Sequence, residues 1–457
     1  MTSTAGVSPI MLRLSDYVAA ALERPLPPEV VEKTKHHILD TVAAMVSGSR
    51  LKPGVLAVQF ARAQGGTPEA LVVASDVVTT AINAAMVNGF LSHADETDDS
   101  HAPSLTHPGC AIVPAALAVA EREHASGEAL IRAVALGYDV GCRIARGMSR
   151  GSGRVEGHSS HAIGGQFGAA AAASALARLA SRQVRSVLAY AAQQASGITS
   201  WMRDPEHVEK AFVFAGMGAR NGVTAATFVQ SGFTGEEDAF SGPDNFLDLF
   251  CPDAAGLNGW VESLGSHYEI SVANIKKHPV GSPIQAAAEA LTALVAEHRL
   301  TSENVRTVEV HLPPQGLRIV DNRAMPDINC QYIMAAILLD GRLTFQAAHS
   351  PERMEDPKVR AVESRVTLVP SPAFKDMERQ RPALVRVHMA NGQVIENYVA
   401  AIRGTADNPM HRDEVAAKAV DLMEGVMGKQ RSHAIVTQIW ELEQVKNVRD
   451  LRPILRD

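Results

Sequence analysis

Hydrophobic positions recur at three-to-four spacing along most of the chain. Val31, Thr34, Ile38, Val42 and Met45 follow Pro27-Pro28 and stop at Gly48, which predicts a helix over 28–47 with both ends written in sequence. The same period predicts helices over 76–93, 111–125, 128–149, 161–180, 183–202 and 208–231. Several have alanine and glycine at their centres, as in GGQFGAAAAASALA and FAGMGARNGVTAA, and the missing bulk lets helix axes approach closely. Near residue 266 the pattern changes to β-branched alternation, which predicts strands in 306–312, 365–369 and 384–400, with Asn391-Gly392 as a hairpin turn whose two residues tolerate positive φ. Helices are predicted between these strands at 283–298 and 328–339. Helical pattern then returns, with Asn408 as N-cap and Pro409 in the first helical position. The expected fold is mainly α: a large all-helical domain (1–265 plus 405–457) with an inserted smaller α+β lid domain (266–404).

Composition narrows the function classes. Of 457 residues, 46% are hydrophobic and 20% charged, an ordinary globular balance. The net charge of −7, from 43 Lys+Arg against 50 Asp+Glu with no basic run of five, offers no footprint for nucleic acid. Cys110, Cys142, Cys251 and Cys330 lie far apart, and read as buried thiols in a reducing cytoplasm. The N-terminal stretch lacks an uninterrupted apolar region, so no secretion signal is expected. Ala162 to Ala180 carries Gln166 and Arg178 and makes a poor membrane span, so no membrane partner is expected.

The densest polar cluster, His93-Ala-Asp95-Glu96-Thr97-Asp98-Asp99-Ser100-His101, closes an apolar helix and is followed by His107-Pro108-Gly109. If helical geometry persists, Glu96 and Ser100 share a face at i and i+4. Four acids within five positions cannot all ionise freely in a dry site, so at least one is expected to be protonated or hydrogen-bonded. A solvated acidic loop and a divalent-metal site are the alternatives. A second cluster, from Gly151 to His161, is a glycine-rich loop entering the alanine-rich helix. Ser159 or Ser160 is expected to cap that helix, and His158 sits where its N-terminal amides would attract an anion. A histidine that only ties down the loop is the alternative there, and His161, one turn further in, is expected to be structural. Lys210 heads an otherwise apolar helix, where it either meets an anion or snorkels to water. Lys276, Lys277 and His278 precede a Pro/Gly turn, Gln285 follows it, and Arg323 comes later. In a net negative chain, such local cations must hold any anionic substrate.

Taken together, NGFLSHADETDDSH with HPGCAIVPAALAVAE, GYDVGCRIARGM, GHSSHAIGGQFGAAAAASAL, EKAFVFAGMGARNG and KKHPVGSPIQAAAEAL resemble the MmgE/PrpD family, through most of the chain and in the same order. Its members include 2-methylcitrate dehydratase, cis-aconitate decarboxylase and iminodisuccinate epimerase. The resemblance implies a helical domain with an α+β lid, a homodimer, an active site between the two domains and no cofactor or metal. It places Glu96 and Ser100 at the first acid and the threonine of the family's acidic motif, and finds His107, His158, Lys210, Lys276 and Pro279 unchanged. Gln285 stands where better-known lyases carry histidine, and Val320 where aconitate decarboxylases carry tyrosine.

The resulting expectation is a cofactor-independent lyase of the dehydratase type acting on a small di- or tricarboxylate. His158 and His107 exchange protons, Glu96 and Ser100 position substrate and histidines, and Lys210, Lys276, Gln285 and Arg323 bind substrate. Epimerisation and decarboxylation are the nearer alternatives. An isoprenoid-synthase-like bundle holding Mg²⁺ lacks the second acidic motif it needs, and a non-catalytic scaffold would not need to retain His107, His158 and Lys210.

Overall fold

The protein's structure, a computed structural model, describes residues 6–148, 157–251, 259, 261–377 and 381–457. Residues 151–156 of the glycine-rich loop fall outside the described residues. The chain is mainly helical with small sheets and divides into two compact units. The first comprises Met1–Ala94, Asp98–Ala273 and His411–Asp457, the second Asp95–Thr97 and Asn274–Met410.

The first unit contains α1 (Pro9–Ala19), α2 (Pro28–Gly48), α3 (Lys52–Gln64), α4 (Ala81–Ser92), α5 (Gly109–Arg122), α6 (Gly127–Met148), α7 (Ser160–Leu176), α8 (Ser181–Gln193), α9 (Val208–Ala211) and α10 (Met217–Gln230). Helix α7 is central: every residue from Ala162 to Leu176 is buried, and it packs against α5, α6, α8 and α10. Glycine makes this possible. A Cβ added to Gly141 would lie 2.4 Å from the Gly164 carbonyl oxygen, and one on Gly222 2.5 Å from the Ala170 nitrogen.

Four local expectations need correction. The segment 76–93 is helical only from Ala81, because Thr80 caps α4 by accepting from the Asn83 amide at 3.2 Å, and β1 (Ala70–Leu71) pairs antiparallel with β2 (Val78–Thr79) just before it. The segment 183–202 breaks after Gln193: Gly197 takes a φ of 108°, outside helical space, and a separate 3₁₀ turn at Thr199–Arg203 follows. Ser159 stands at the N-cap of α7, as expected, but its side chain makes no capping hydrogen bond; the Ser160 hydroxyl donates to the Leu105 carbonyl at 3.1 Å. The last long helices, Arg412–Met427 and Lys429–Trp440, begin after His411 and not at Pro409. The His411 amide donates to Glu414 Oε2 at 2.9 Å, while Asn408 braces a turn through the Ala401 carbonyl and Arg403.

The second unit is built on a four-stranded sheet of order β4-β3-β5-β6: β3 (Val305–Leu312), β4 (Val366–Pro370), β5 (Ala383–Met389) and β6 (Val394–Val399). β3 runs parallel to β4 and antiparallel to β5, with Val310 opposite both Leu368 and Val385. Alternation predicts the buried set Ala383, Val385 and Val387 of β5, which packs with helices Gln285–His298 and Cys330–Asp340 in one core. In the 390–392 turn only Gly392 takes positive φ (87°); the Asn391 side chain instead accepts from the Gln393 amide at 2.9 Å. No helix among the described residues is long and apolar enough to cross a membrane.

Candidate active site of the helical unit

Helix α4 ends at Ser92, and the chain from His93 to Asp99 is buried although it is almost wholly polar. Helical geometry does not persist into it: Glu96 has a φ of 57°, so Glu96 and Ser100 are not stacked one turn apart. Such a segment is stable only if its side chains bond to one another and to their surroundings. The four acids do so in four different ways.

Asp98 organises the imidazoles. Its Oδ2 lies 2.9 Å from His93 Nδ1 and 3.1 Å from His107 Nδ1. An ionised carboxylate only accepts, so both Nδ1 atoms carry the proton and each ring turns its basic Nε2 away from Asp98. His93 and His107 meet edge to face with centroids 5.2 Å apart. Between α9 and α10 the helix widens into a π segment, Phe212–Gly216, whose extra residue per turn places Phe214 among the imidazoles. Its ring stacks with His93 at 4.4 Å and with His161 at 3.8 Å, while Trp201 meets its edge at 4.6 Å. A Cβ on Gly89 of α4 would come within 2.9 Å of Gly216 Cα, so glycine on both sides lets the π segment sit this close to α4.

Lys210 does not reach for water. It is 8% exposed, with Nζ 5.2 Å above the Phe214 ring and 5.6 Å above Trp201, where the π faces stabilise a cation in a poorly solvated place. His207, three residues earlier, is buried in a left-handed backbone conformation (φ 61°) with its ring 5.3 Å from His93. His161, expected to be structural, belongs to this cluster, 5.3 Å from His107. His158 is half-buried, and among the described residues its ring contact is Phe250, at 5.2 Å. Ser100 is buried in the same unit.

A second carboxylate faces the opposite way. Asp99 Oδ2 lies 2.7 Å from His37 Nδ1 and accepts from the Tyr138 hydroxyl, and Oδ1 accepts from the Gly109 amide at 2.9 Å. Burial, with the charge of Asp98, pushes its carboxyl up to about 6 against the pull of Tyr138 and the Gly109 amide. Burial also drives the His37 imidazole well below its ordinary range, so it is neutral.

The other two acids are satisfied within the second unit. Asp95 accepts from the Thr97 amide (3.0 Å) and hydroxyl (2.6 Å), and its carbonyl bonds His349 Nε2 at 2.6 Å. Glu96 is buried against Lys276, whose ammonium donates to its carbonyl at 2.7 Å and its Oε2 at 3.1 Å. Lys276, expected to hold a substrate carboxylate, therefore already holds a protein one. Gln285 is engaged as well: its amide donates to the His278 and Val280 carbonyls at 2.7 and 2.8 Å, and its oxygen accepts from the His278 amide, so both donors close its own turn. Arg323 is half-exposed and donates to the Ile319 carbonyl at 3.2 Å. Val320 is fully buried in the sheet's core.

The helical unit thus gathers His107 and Lys210 from the predicted residues. Sequence reading missed Asp98, His93, His207, Trp201 and Phe214 as members of one site. One signal was present: His207, Lys210 and Phe214 follow at three and four, the sequence spacing of one helix face, although His207 stands before α9 and Phe214 in the π segment.

His93, Asp98 and Cys110 each present a donor atom within 4.8 Å of the others. The Cys110 thiol, however, donates to the carbonyls of His107 (3.0 Å) and Phe214 (3.6 Å), and two carbonyl oxygens oppose the thiolate a metal requires. These residues fit a hydrogen-bonded acid–base cluster better than a metal shell.

The N-terminal domain of MmgE/PrpD proteins matches residues 12–256, and their C-terminal domain matches 278–442. The chain belongs to the MmgE/PrpD family. Relatives in this family include the cis-aconitate decarboxylase-like protein oryM of Aspergillus oryzae, 24% identical over 98% of this chain and 97% of its own. The cis-aconitate decarboxylase of Homo sapiens is 26% identical over 74% of this chain and 72% of its own. That of Aspergillus terreus is 24% identical over 94% and 92%. As an MmgE/PrpD protein with such relatives, the chain is an enzyme.

Proposed function

We propose that this MmgE/PrpD protein is a lyase that moves a proton beside a carboxylate of an aconitate-like polycarboxylate, with loss of water as its leading reaction. The observation that carries the reading is the pair of imidazoles on Asp98, set against Phe214 with the Lys210 ammonium over the same ring. Removing a proton next to a carboxylate gathers negative charge, so the site needs a base and a cation fixed in a dry place. His107, its Nδ1 proton held by Asp98, offers Nε2 as that base, and Lys210 binds the carboxylate. Elimination then needs a second group to protonate the departing hydroxyl, a role the proposal gives to His158, with Ser100 positioning the substrate. Side chains supply all of these groups, so the chemistry calls for no cofactor. A cytoplasmic location and a homodimer belong to the same proposal.

Decarboxylation of cis-aconitate is the second reading, favoured by the cis-aconitate decarboxylases among the relatives. Against it stands Val320, buried where the resembling decarboxylases carry a tyrosine, since an apolar side chain has no proton to give. One experiment separates the reactions: incubation in D₂O with methylcitrate, cis-aconitate and iminodisuccinate, followed by proton NMR. Loss or addition of water to methylcitrate or cis-aconitate supports the leading reading. Release of carbon dioxide from cis-aconitate supports the second, and deuterium incorporation with inversion of iminodisuccinate would replace both with an epimerase.

A further inference from the structure

Asp98 and Asp99 are neighbours in sequence, yet they hold the two sides of one short segment. Asp98 takes the ring of His107, and Asp99 takes the amide of Gly109 at 2.9 Å. Only Pro108 lies between, its φ locked by the ring at −70°. Asp99 is itself fixed by two helices, through His37 of α2 at 2.7 Å and the Tyr138 hydroxyl of α6. Gly109 has no slack: a Cβ there would lie 2.7 Å from the Tyr138 hydroxyl and 2.8 Å from Asp99 Oδ1 and Thr41 Oγ1. Any movement of Asp99 therefore displaces Asp98 through the chain and Gly109 through its amide, and both are tied to His107.

We propose that Asp99, held by Tyr138 and His37, is a positioning residue that sets the orientation and tautomer of His107. This rests on the reading of His107 as the proton-transfer group. Asp99 need not touch substrate; it keeps His107 Nδ1 on Asp98 so that Nε2 points consistently to the reacting carbon, where a misplacement of an ångström is costly to rate.

The test uses full-length protein with ¹⁵N-labelled histidine rings, the His107 signals being assigned by their loss in His107→Gln. The parent is expected to show His107 as the neutral Nδ1–H tautomer. Asp99→Asn and the milder Tyr138→Phe are expected to show mixed tautomers. The control is Tyr17→Phe, which breaks a parallel pair: Tyr17 donates to Asp139 Oδ2 at 2.8 Å, and Asp139 Oδ1 accepts the Glu269 amide at 2.7 Å, with no catalytic imidazole attached. It is expected to lower the melting temperature and leave His107 and kcat unchanged. In turnover with whichever polycarboxylate the D₂O incubation shows to react, Tyr138→Phe is expected to lower kcat about tenfold with KM nearly constant. An unchanged His107 tautomer in Tyr138→Phe and Asp99→Asn overturns the proposal, as does a kcat loss matched by Tyr17→Phe. A tautomer change in the two variants, with a parent that turns over none of the substrates, would leave the positioning role standing and remove the activity reading instead.

Discussion

His107 and Lys210 differ in what their replacement should do. His107→Asn keeps a donor where Nδ1 was but has no basic nitrogen, so kcat is expected to fall about 10²–10³-fold with the fold intact, checked by deuterium wash-in and circular dichroism. Lys210→Met keeps the stem over Phe214 and Trp201 and removes the charge. It is expected to lower kcat/KM about 10–100-fold, the worth of one charge-assisted bond, chiefly through KM. His158→Ala should lose at least about tenfold in kcat; full turnover would leave the second proton donor to another imidazole of the cluster. Among single residues, the histidine before Pro108 and the lysine at 210 could be found from sequence because each stands at the head of a long apolar run. Asp98 could not be separated from its neighbours, since four acids in a row look alike until the fold assigns one to imidazoles, one to Tyr138, one to Thr97 and one to Lys276.

At the scale of elements, the bundle rests on contacts that tolerate no side chain. Gly222→Ala would press a methyl to within 2.6 Å of Ala169 Cβ and 2.5 Å of the Ala170 nitrogen, and backbone cannot yield as a flexible side chain would. A loss of about 2–3 kcal/mol is expected, read in urea unfolding as a shifted midpoint with little change in slope. The long helices and the β3 to β6 region were legible because their periods of 3.6 and 2 extend over many residues. The start of α4 and the end of α8 were not, because a Thr80 cap and a Gly197 turn interrupt apolar runs without interrupting composition. The π segment left no trace at all: FVFAG reads as ordinary helix, and its widening depends on the neighbouring α4 backbone at Gly89.

Over the whole molecule, buried and half-buried carboxyls of opposite tendency set the pH response. Burial is the leading cause that pushes Asp40, Asp99 and Asp139 up to about 6. Such groups favour the folded state at low pH, and that contribution is lost as pH rises from about 4 through about 6. Glu269 moves the other way, since His101, Arg146 and Arg143 outweigh its burial and bring it to about 2; Glu289 reaches about 2 through His278 and Lys277, against burial. Their contribution is present above about pH 4.5 and is lost on further acidification. The melting temperature is therefore expected to rise as pH falls from about 7 to about 5 and to drop below about 4.5. A pH series of thermal melts checks this, and Asp139→Asn should flatten its neutral side.

The assignment of Asp95–Thr97 to the second unit means that the polypeptide changes unit four times, at 94/95, 97/98, 273/274 and 410/411. Residues 274–410 are thus an incomplete part: cut out alone, they keep the Lys276 ammonium in a buried position and leave behind the Glu96 carboxylate that neutralises it. Anyone exchanging this unit between relatives would have to transplant a tripeptide from 180 positions upstream along with it.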